Sequence, residues 1–270
     1  MKEECSLNKT TFGKAMDMSR SMLYYHHKQP DKDWWLKQRI ELVLRDKKSY
    51  GHKRIARELH INKKRVLRVM KLFGLKPYRR RGKKWKKPGR DYSKEYPNLL
   101  LTEFPKHPNH IWASDFTCIP YKKRTLHLAT IIDLFTREIV GFSVMLCHSN
   151  SLVINALLSA ASKHPVPTIL HSDQGSEYKS KDYIVLETNL GITPSMSHKG
   201  CPWENGYQEA FYSQFKVDLG DPNRFNHLGE LVWAIYKTIH EYNNTRIHTA
   251  IKMPPAVFAK RHQERSEMLV

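Results

Sequence analysis

Three acidic residues stand where a carboxylate could do chemistry. Asp115 lies inside HIWASDFTCIPY, a run rich in β-branched and aromatic residues, where an ionised side chain is costly to bury unless it is paired or binds a metal. Asp173 follows the apolar run PTIL and opens into HSDQGS, the carboxyl end of a short strand, where open α/β sheets gather their ligands. Glu209 belongs to ENGYQEAFYSQFK, in which Asn205, Glu209, Ser213 and Lys216 are four or seven apart and form one helical stripe, while Phe211 and Phe215 share a face suited to a core. Taken singly, each acid has an ordinary role: a satisfied core aspartate, a turn former, one polar position of an amphipathic helix. Their neighbours have ordinary roles too. Asp133 before LFTRE reads as a turn residue, Glu177 in QGSEY as a solvated loop residue, and His171 and His198 as hydrogen-bonded structural histidines.

The elements that must position these acids can be read from pattern. HIWASDFTCIPY, TLHLATIIDLF and EIVGFSVMLC read as three consecutive strands joined by short polar turns, an antiparallel meander. SLVINALLSAASKH is an amphipathic helix, PTILHSD a short buried strand, SKDYIVLETNLG a helix ending at Gly191, and ITPSMS a brief strand. Helices over about 204–219 and 228–244 complete the order βββαβαβαα. The expected fold class is α/β: an N-terminal all-α helix-turn-helix region, then a mixed five-stranded sheet flanked by helices.

The front of the chain is different. WWLKQRIELVLRD spaces Trp35, Ile40, Leu42 and Val43 as a first helix. HKRIARELH is a short second one, with Ile55 and Leu59 a turn apart, and NKKRVLRVMKLFG runs from an Asn62 cap to Gly74 with Val66, Val69, Met70 and Phe73 as its apolar face. Helix, short turn and a helix bearing Lys63, Lys64, Arg65 and Arg68 is the helix-turn-helix pattern, whose second helix enters a major groove. A less marked helical pair precedes it in TTFGKAMDMSRSMLYYHHK. KPYRRRGKKWKKPGR carries nine Lys/Arg and no acid, and reads as a phosphate-binding arm, with Arg79, Arg80, Arg81, Lys83 and Lys84 giving affinity rather than base choice.

Composition agrees with that division. The 270-residue chain carries a net charge of +20 with 40% hydrophobic residues, too many for a disordered polycation. Residues 1–100 hold 29 Lys/Arg against 10 Asp/Glu, and the remaining 170 hold 17 against 16. Four scattered cysteines include no CxxC pair, which argues against zinc fingers and disulfide-stapled secreted folds. No apolar run spans a bilayer and no signal-peptide segment opens the chain, so a cytoplasmic protein is expected. The expected division is an N-terminal helical segment 1–30, a helix-turn-helix domain 31–75, a basic linker 76–108, a catalytic core 109–260 and a tail 261–270.

Together the acids form a pattern that none forms alone. An aspartate on the first strand, a second aspartate, 35 intervening residues and a glutamate is the arrangement of DDE integrases and transposases. WASDFTCIPY, LATIIDLFTREIVGFSV, HSDQGSEY, GITPSMSHKGCPWENGYQEAFYSQFK and EYNNTRIHTAIKMPPAVF together resemble the OrfB product of the insertion-sequence-three family of bacterial transposases, and SYGHKRIARELHINKKRVLRVMKLFGLKP is similar to that family's second helix-turn-helix module. The resemblance covers nearly the whole chain. It implies a ribonuclease-H-like core with Asp115, Asp173 and Glu209 as metal ligands, and it matches Lys216 to a basic position that contacts DNA beside the active site. One departure is Glu204-Asn205 where most members have Asp-Asn. Glu204 lies five residues before Glu209, about 140° round a helix, and reads as a first-turn acid favouring the helix dipole.

The implied chemistry is metal-dependent DNA strand cleavage and strand transfer. Two Mg²⁺ ions, with Mn²⁺ as a substitute, suit an all-carboxylate donor set and relieve charge at phosphorus; water as nucleophile cleaves, and a DNA 3′ hydroxyl joins. Expected partners are double-stranded DNA (terminal inverted repeats and target), further copies of the chain in a synaptic complex, and an upstream OrfA product or a fusion with it. The alternatives are a DNA-binding regulator with an inert core and another ribonuclease-H-like nuclease. A retroviral integrase proper is disfavoured, because Cys5 is the only cysteine before Cys118 and a His-His-Cys-Cys zinc module needs two.

Overall fold

The computed structural model describes residues 14–19, 29–79 and 96–268. Arg80, Arg81, Lys83 and Lys84 of the basic arm, and most of the earlier helical pair, lie outside them.

Three helices form the front: α1 (Gln29–Asp46), α2 (His52–Glu58) and α3 (Lys63–Leu72). Asn62 caps α3 by accepting from the Lys64 N–H, and Gly74 follows the helix in the left-handed region. Leu36, Ile40, Tyr50, Ile55, Val66, Val69 and Met70 make their shared core. α1 turns a different face inward from the one its spacing suggested. Leu36 and Ile40 are buried, whereas Trp35 and Leu42 are exposed, and the rings of Trp34 and Trp35 lie under Lys37 and Arg39. The helix also begins five residues before Trp34, at Gln29, which adds buried Asp33 to its inner side.

The sheet contains β1 (Ile111–Tyr121), β2 (Arg124–Asp133), β3 (Ile139–Met145), β4 (Ile169–Ser172) and β5 (Thr193–Met196), in the order β3-β2-β1-β4-β5. β1 to β3 form the antiparallel meander, and β4 and β5 run parallel to β1. Helices α4 (Asn150–Ala161) and α5 (Lys181–Asn189) cover one face; α6 (Gly206–Leu219) and α7 (Leu228–Asn244) cover the other. Residues alternate between faces along a strand, so Ile111 and Ala113 pack under α6 and α7 while Trp112 packs under α4.

Two segments differ from the sequence reading. The tail contains a helix, α8 (Pro255–Glu267), begun by Pro255 where the fixed φ of proline suits a first turn. The last part of the basic linker is folded: Leu99 and Leu100 pack on the core, and the Leu99 N–H donates to Ser195 Oγ at 2.9 Å. The helix-turn-helix unit docks on the sheet domain, since Arg246 bridges Asp218 of α6 and Ser49, and the Ile247 N–H donates to the Tyr50 hydroxyl at 2.8 Å.

Candidate active site

α6 lies along β1 in matched steps. Gln208 Nε2 donates to the Ala113 carbonyl at 2.6 Å, the Tyr212 hydroxyl to the Asp115 carbonyl at 2.6 Å, and Lys216 Nζ to Thr117 Oγ1 at 2.5 Å. Four residues of helix rise about 6 Å and two residues of strand about 6.6 Å, so each turn of α6 meets the next same-face position of β1. Asp115 shares that face, and Glu209 follows Gln208 at the α6 end of it. Ala113 pairs with His171 in the parallel β1–β4 ladder, so the same register carried two residues on puts Asp173 level with Asp115. Two strands and one helix thus direct three acids to one region.

Electrostatics tie the three together. Burial first, then the Asp173 carboxylate, raise the Asp115 pKa, with Glu209 adding to the rise; the Phe116 N–H and Lys216 oppose it, and the group is pushed up to about 7. Asp173 is raised by burial and by Glu177, against the hydrogen bond it accepts from the Gly175 N–H at 3.0 Å. Glu209 is exposed. An all-oxygen donor set short of positive charge fits a hard divalent cation. Among the described residues no three His, Cys, Asp or Glu side chains stand close enough to share one ion as they lie, so closing round a cation requires side-chain movement, for which exposed Glu209 has room.

The surrounding residues separate into expected and unexpected. Asp133 is a turn residue, accepting from the N–H groups of Asn109 and Phe135 at 2.8 and 2.7 Å. His171 is fully buried against Ser195 Oγ at 2.9 Å, and burial pushes it down to about 4, a structural histidine. Glu177 is not a solvated loop residue. It is buried, its Oε1 sits 3.0 Å from His148 Nε2, and an added Cβ on Gly175 would lie 3.0 Å from both Glu177 Oε2 and Asp173 Oδ1. Glu204 is no helix-dipole acid either, because it precedes α6 in a 3-10 turn. It accepts from the His198 N–H and Asn98 Nδ2, each at 2.7 Å, and so latches the strand-to-helix loop to the segment before β1. Asn205 is buried ahead of the helix and donates to the Ser114 carbonyl at 3.2 Å, away from the Glu209 stripe. Gln208, fully buried, donates to the Ala113 and Thr130 carbonyls and accepts from the Thr130 hydroxyl, yet carried no signal in the sequence: a glutamine at an inward position looks like any polar break in the stripe.

On the helix-turn-helix unit, Lys63 and Lys64 are exposed at the amino-terminal end of α3. Arg65 reaches back to the Lys32 carbonyl, and Arg68 forms a two-pronged pair with buried Asp33, which holds the Asp33 carboxyl below its ordinary value. Arg79 is exposed at the start of the arm. No helix of the described residues is long and apolar enough to cross a membrane.

Comparison with known proteins agrees with this architecture. Two family models, each described as an integrase core domain, match residues 105–202 and 190–255. The transposase for insertion sequence element IS904 of Lactococcus lactis is 37% identical over 83% of this chain and 94% of that protein. The putative transposase InsK for IS150 of Escherichia coli is 32% identical over 88% of each. A chain of the simian T-cell lymphotropic virus intasome in complex with PP2A regulatory subunit B56 gamma superposes with a TM-score of 0.52 at 18% identity, covering 82% of this chain and 73% of that one, a likeness of fold. With a sheet of this order, helices on both faces and a relative this similar over nearly its whole length, the chain belongs to the bacterial insertion-sequence transposases with a ribonuclease-H-like integrase core.

Proposed function

We propose that this transposase cleaves and joins DNA strands at Asp115, Asp173 and Glu209, and that these carboxylates hold divalent metal, Mg²⁺ with Mn²⁺ as a substitute. The observation that carries the reading is the convergence of the three acids on one face, where burial and mutual repulsion push Asp115 up to about 7. When bound, a pair of ions supplies charge relief at phosphorus and activates the attacking oxygen. The protein's own groups do the positioning. β1 and β4 fix the aspartates through their ladder, Gln208 and Tyr212 fix α6 against β1, and Lys216, held at Thr117, brings positive charge to the rim where a DNA phosphate would pass. Lys63, Lys64 and Arg79 with the basic arm supply DNA affinity. Arg65 and Arg68 serve mainly to hold α3 on α1, so they would contribute less. The substrate is double-stranded DNA bearing the element's ends, bound by several copies of the chain in one complex, with an OrfA product or fusion as a further partner. Incubating the protein with labelled end DNA in Mg²⁺, Mn²⁺ or EDTA tests this: metal-dependent nicking or joining is expected, and processing that continues in EDTA would exclude it.

A further inference from the structure

A second concentration of charge lies away from the three carboxylates, on the other side of α6. A cavity of about 250 Å³ opens between the helix-turn-helix unit and the sheet domain, lined by Arg54 of α2, Arg137 of the β2–β3 turn, and Arg246 and His248 from the connection after α7. The first turn of α6, Gly206 and Tyr207, forms part of its wall, and the Arg137 guanidinium rests 4.1 Å from the centre of the Tyr207 ring. Glu209 lies about 140–160° round the helix from Tyr207 and Gln214, so the two places are separate.

The cations outnumber their partners. Arg246 is paired with Asp218, which also faces Arg54. Arg54 Nε, both Arg137 Nε and Nη1, and His248 Nδ1 are buried and have no hydrogen-bond partner among the described residues. The three guanidiniums act on one another's surroundings. Burial first, and then Arg137, Arg54 and Arg246, push His248 down to about 4, and all three act on the Tyr242 phenol. Buried N–H groups are nearly always satisfied, and like charges in a partly dry cavity are held there against repulsion. Forked guanidinium donors converging from three segments of chain are the geometry that receives phosphate oxygens.

We propose that this cavity is a phosphate-binding site, taking the phosphate group of either a DNA backbone or a free anion, and that its occupant ties the helix-turn-helix unit to the catalytic domain. The site does not depend on the carboxylate chemistry. Arg54 belongs to one domain and Arg137, Arg246 and His248 to the other, so a bound phosphate crosslinks the junction already made by Ser49, Tyr50, Asp218 and Arg246.

The test is thermal unfolding of the full chain in inorganic phosphate against chloride at equal ionic strength, for the wild type and for Arg137→Gln and Arg54→Gln. A ligand that binds the folded chain raises its midpoint by mass action. The wild type is expected to gain from phosphate and both variants to lose most of that gain while unfolding no earlier than wild type in chloride. An equal gain in all three, no gain in the wild type, or failure of both variants to fold without phosphate would each overturn the proposal, the last because the cations would then be structural. Duplex-DNA affinity across a salt series separates the sources. A log–log salt slope shallower by about 0.9 in Arg137→Gln assigns the site to a backbone phosphate, and an unchanged slope with the phosphate gain lost assigns it to a free anion.

Discussion

Gly175 shows how little room the acidic site has. Its missing side chain leaves space that Asp173 Oδ1 and Glu177 Oε2 occupy, each 3.0 Å from where a Cβ would stand. Gly175→Ala is therefore expected to push Asp173 aside by a few tenths of an ångström and slow strand joining severalfold, with little loss of DNA affinity. Single-turnover joining beside a gel-shift titration checks it; unchanged joining would show that Asp173 is not held in place from that side. At this scale spacing placed each acid on its strand or helix, while the resemblance implied their grouping; Asp173, Glu209 and Lys216 all lie near enough to act on the Asp115 carboxyl. Glu177, Gln208 and Glu204 were not legible, because their roles depend on partners 29 to 106 residues away: His148 for Glu177, Ala113 for Gln208, and Asn98 for Glu204.

Elements are held apart by side-chain volume, and β3 meets α4 at its closest where Gly141 has none. A Cβ there would come within 2.6 Å of the Ala156 carbonyl oxygen and the Ala160 Cβ, contacts that backbone cannot yield cheaply. Gly141→Ala should destabilise the chain by about 1–3 kcal/mol, read from urea unfolding midpoints. At the front, Arg68 fixes α3 to α1 through Asp33, and Asp33→Asn should lower the unfolding midpoint at neutral pH while narrowing the difference on acidification, since the lowered Asp33 pKa contributes stability that is lost as pH falls through it. Strand identities and most helix ends followed from period and punctuation. The inner face of α1 did not, because Trp35 and Leu42 are apolar yet lie outward, their surfaces shared with charged stems and open to solvent. α8 was hidden because its sequence PAVFAKRHQERSE offers only a short apolar stripe, and its packing on α7 supplies what periodicity lacked.

Part of the whole molecule's pH dependence should trace to one buried acid outside the three-carboxylate site. Glu187 is 4% exposed, its Oε2 has no hydrogen-bond partner, and burial raises its carboxyl from 4.5 to about 8. The folded chain thus holds a proton that the unfolded chain releases, so this stability is complete below about 4.5 and is lost as pH rises through 8. Glu187→Gln is expected to flatten that fall, closing on wild type at low pH and exceeding it by at most about 4 kcal/mol at pH 8, in chemical unfolding across that range. Parallel curves for the two proteins would mean Glu187 is ionised in the fold. The uneven charge was legible, with the excess confined to the first hundred residues. The docking of the parts was not, for Ser49, Tyr50, Asp218 and Arg246 meet across 28 to 197 residues and each reads locally as an ordinary surface residue.

Asp115, Asp173 and Glu209 are expected to act as one site, apart from DNA binding. The most direct test is joining of labelled end DNA by Asp115→Asn, Asp173→Asn and Glu209→Gln in Mg²⁺, with affinity for the same DNA measured alongside. All three variants should lose cleavage and joining and keep nearly wild-type affinity. A variant that still joins strands would remove its residue from the site and contradict the three-carboxylate mechanism.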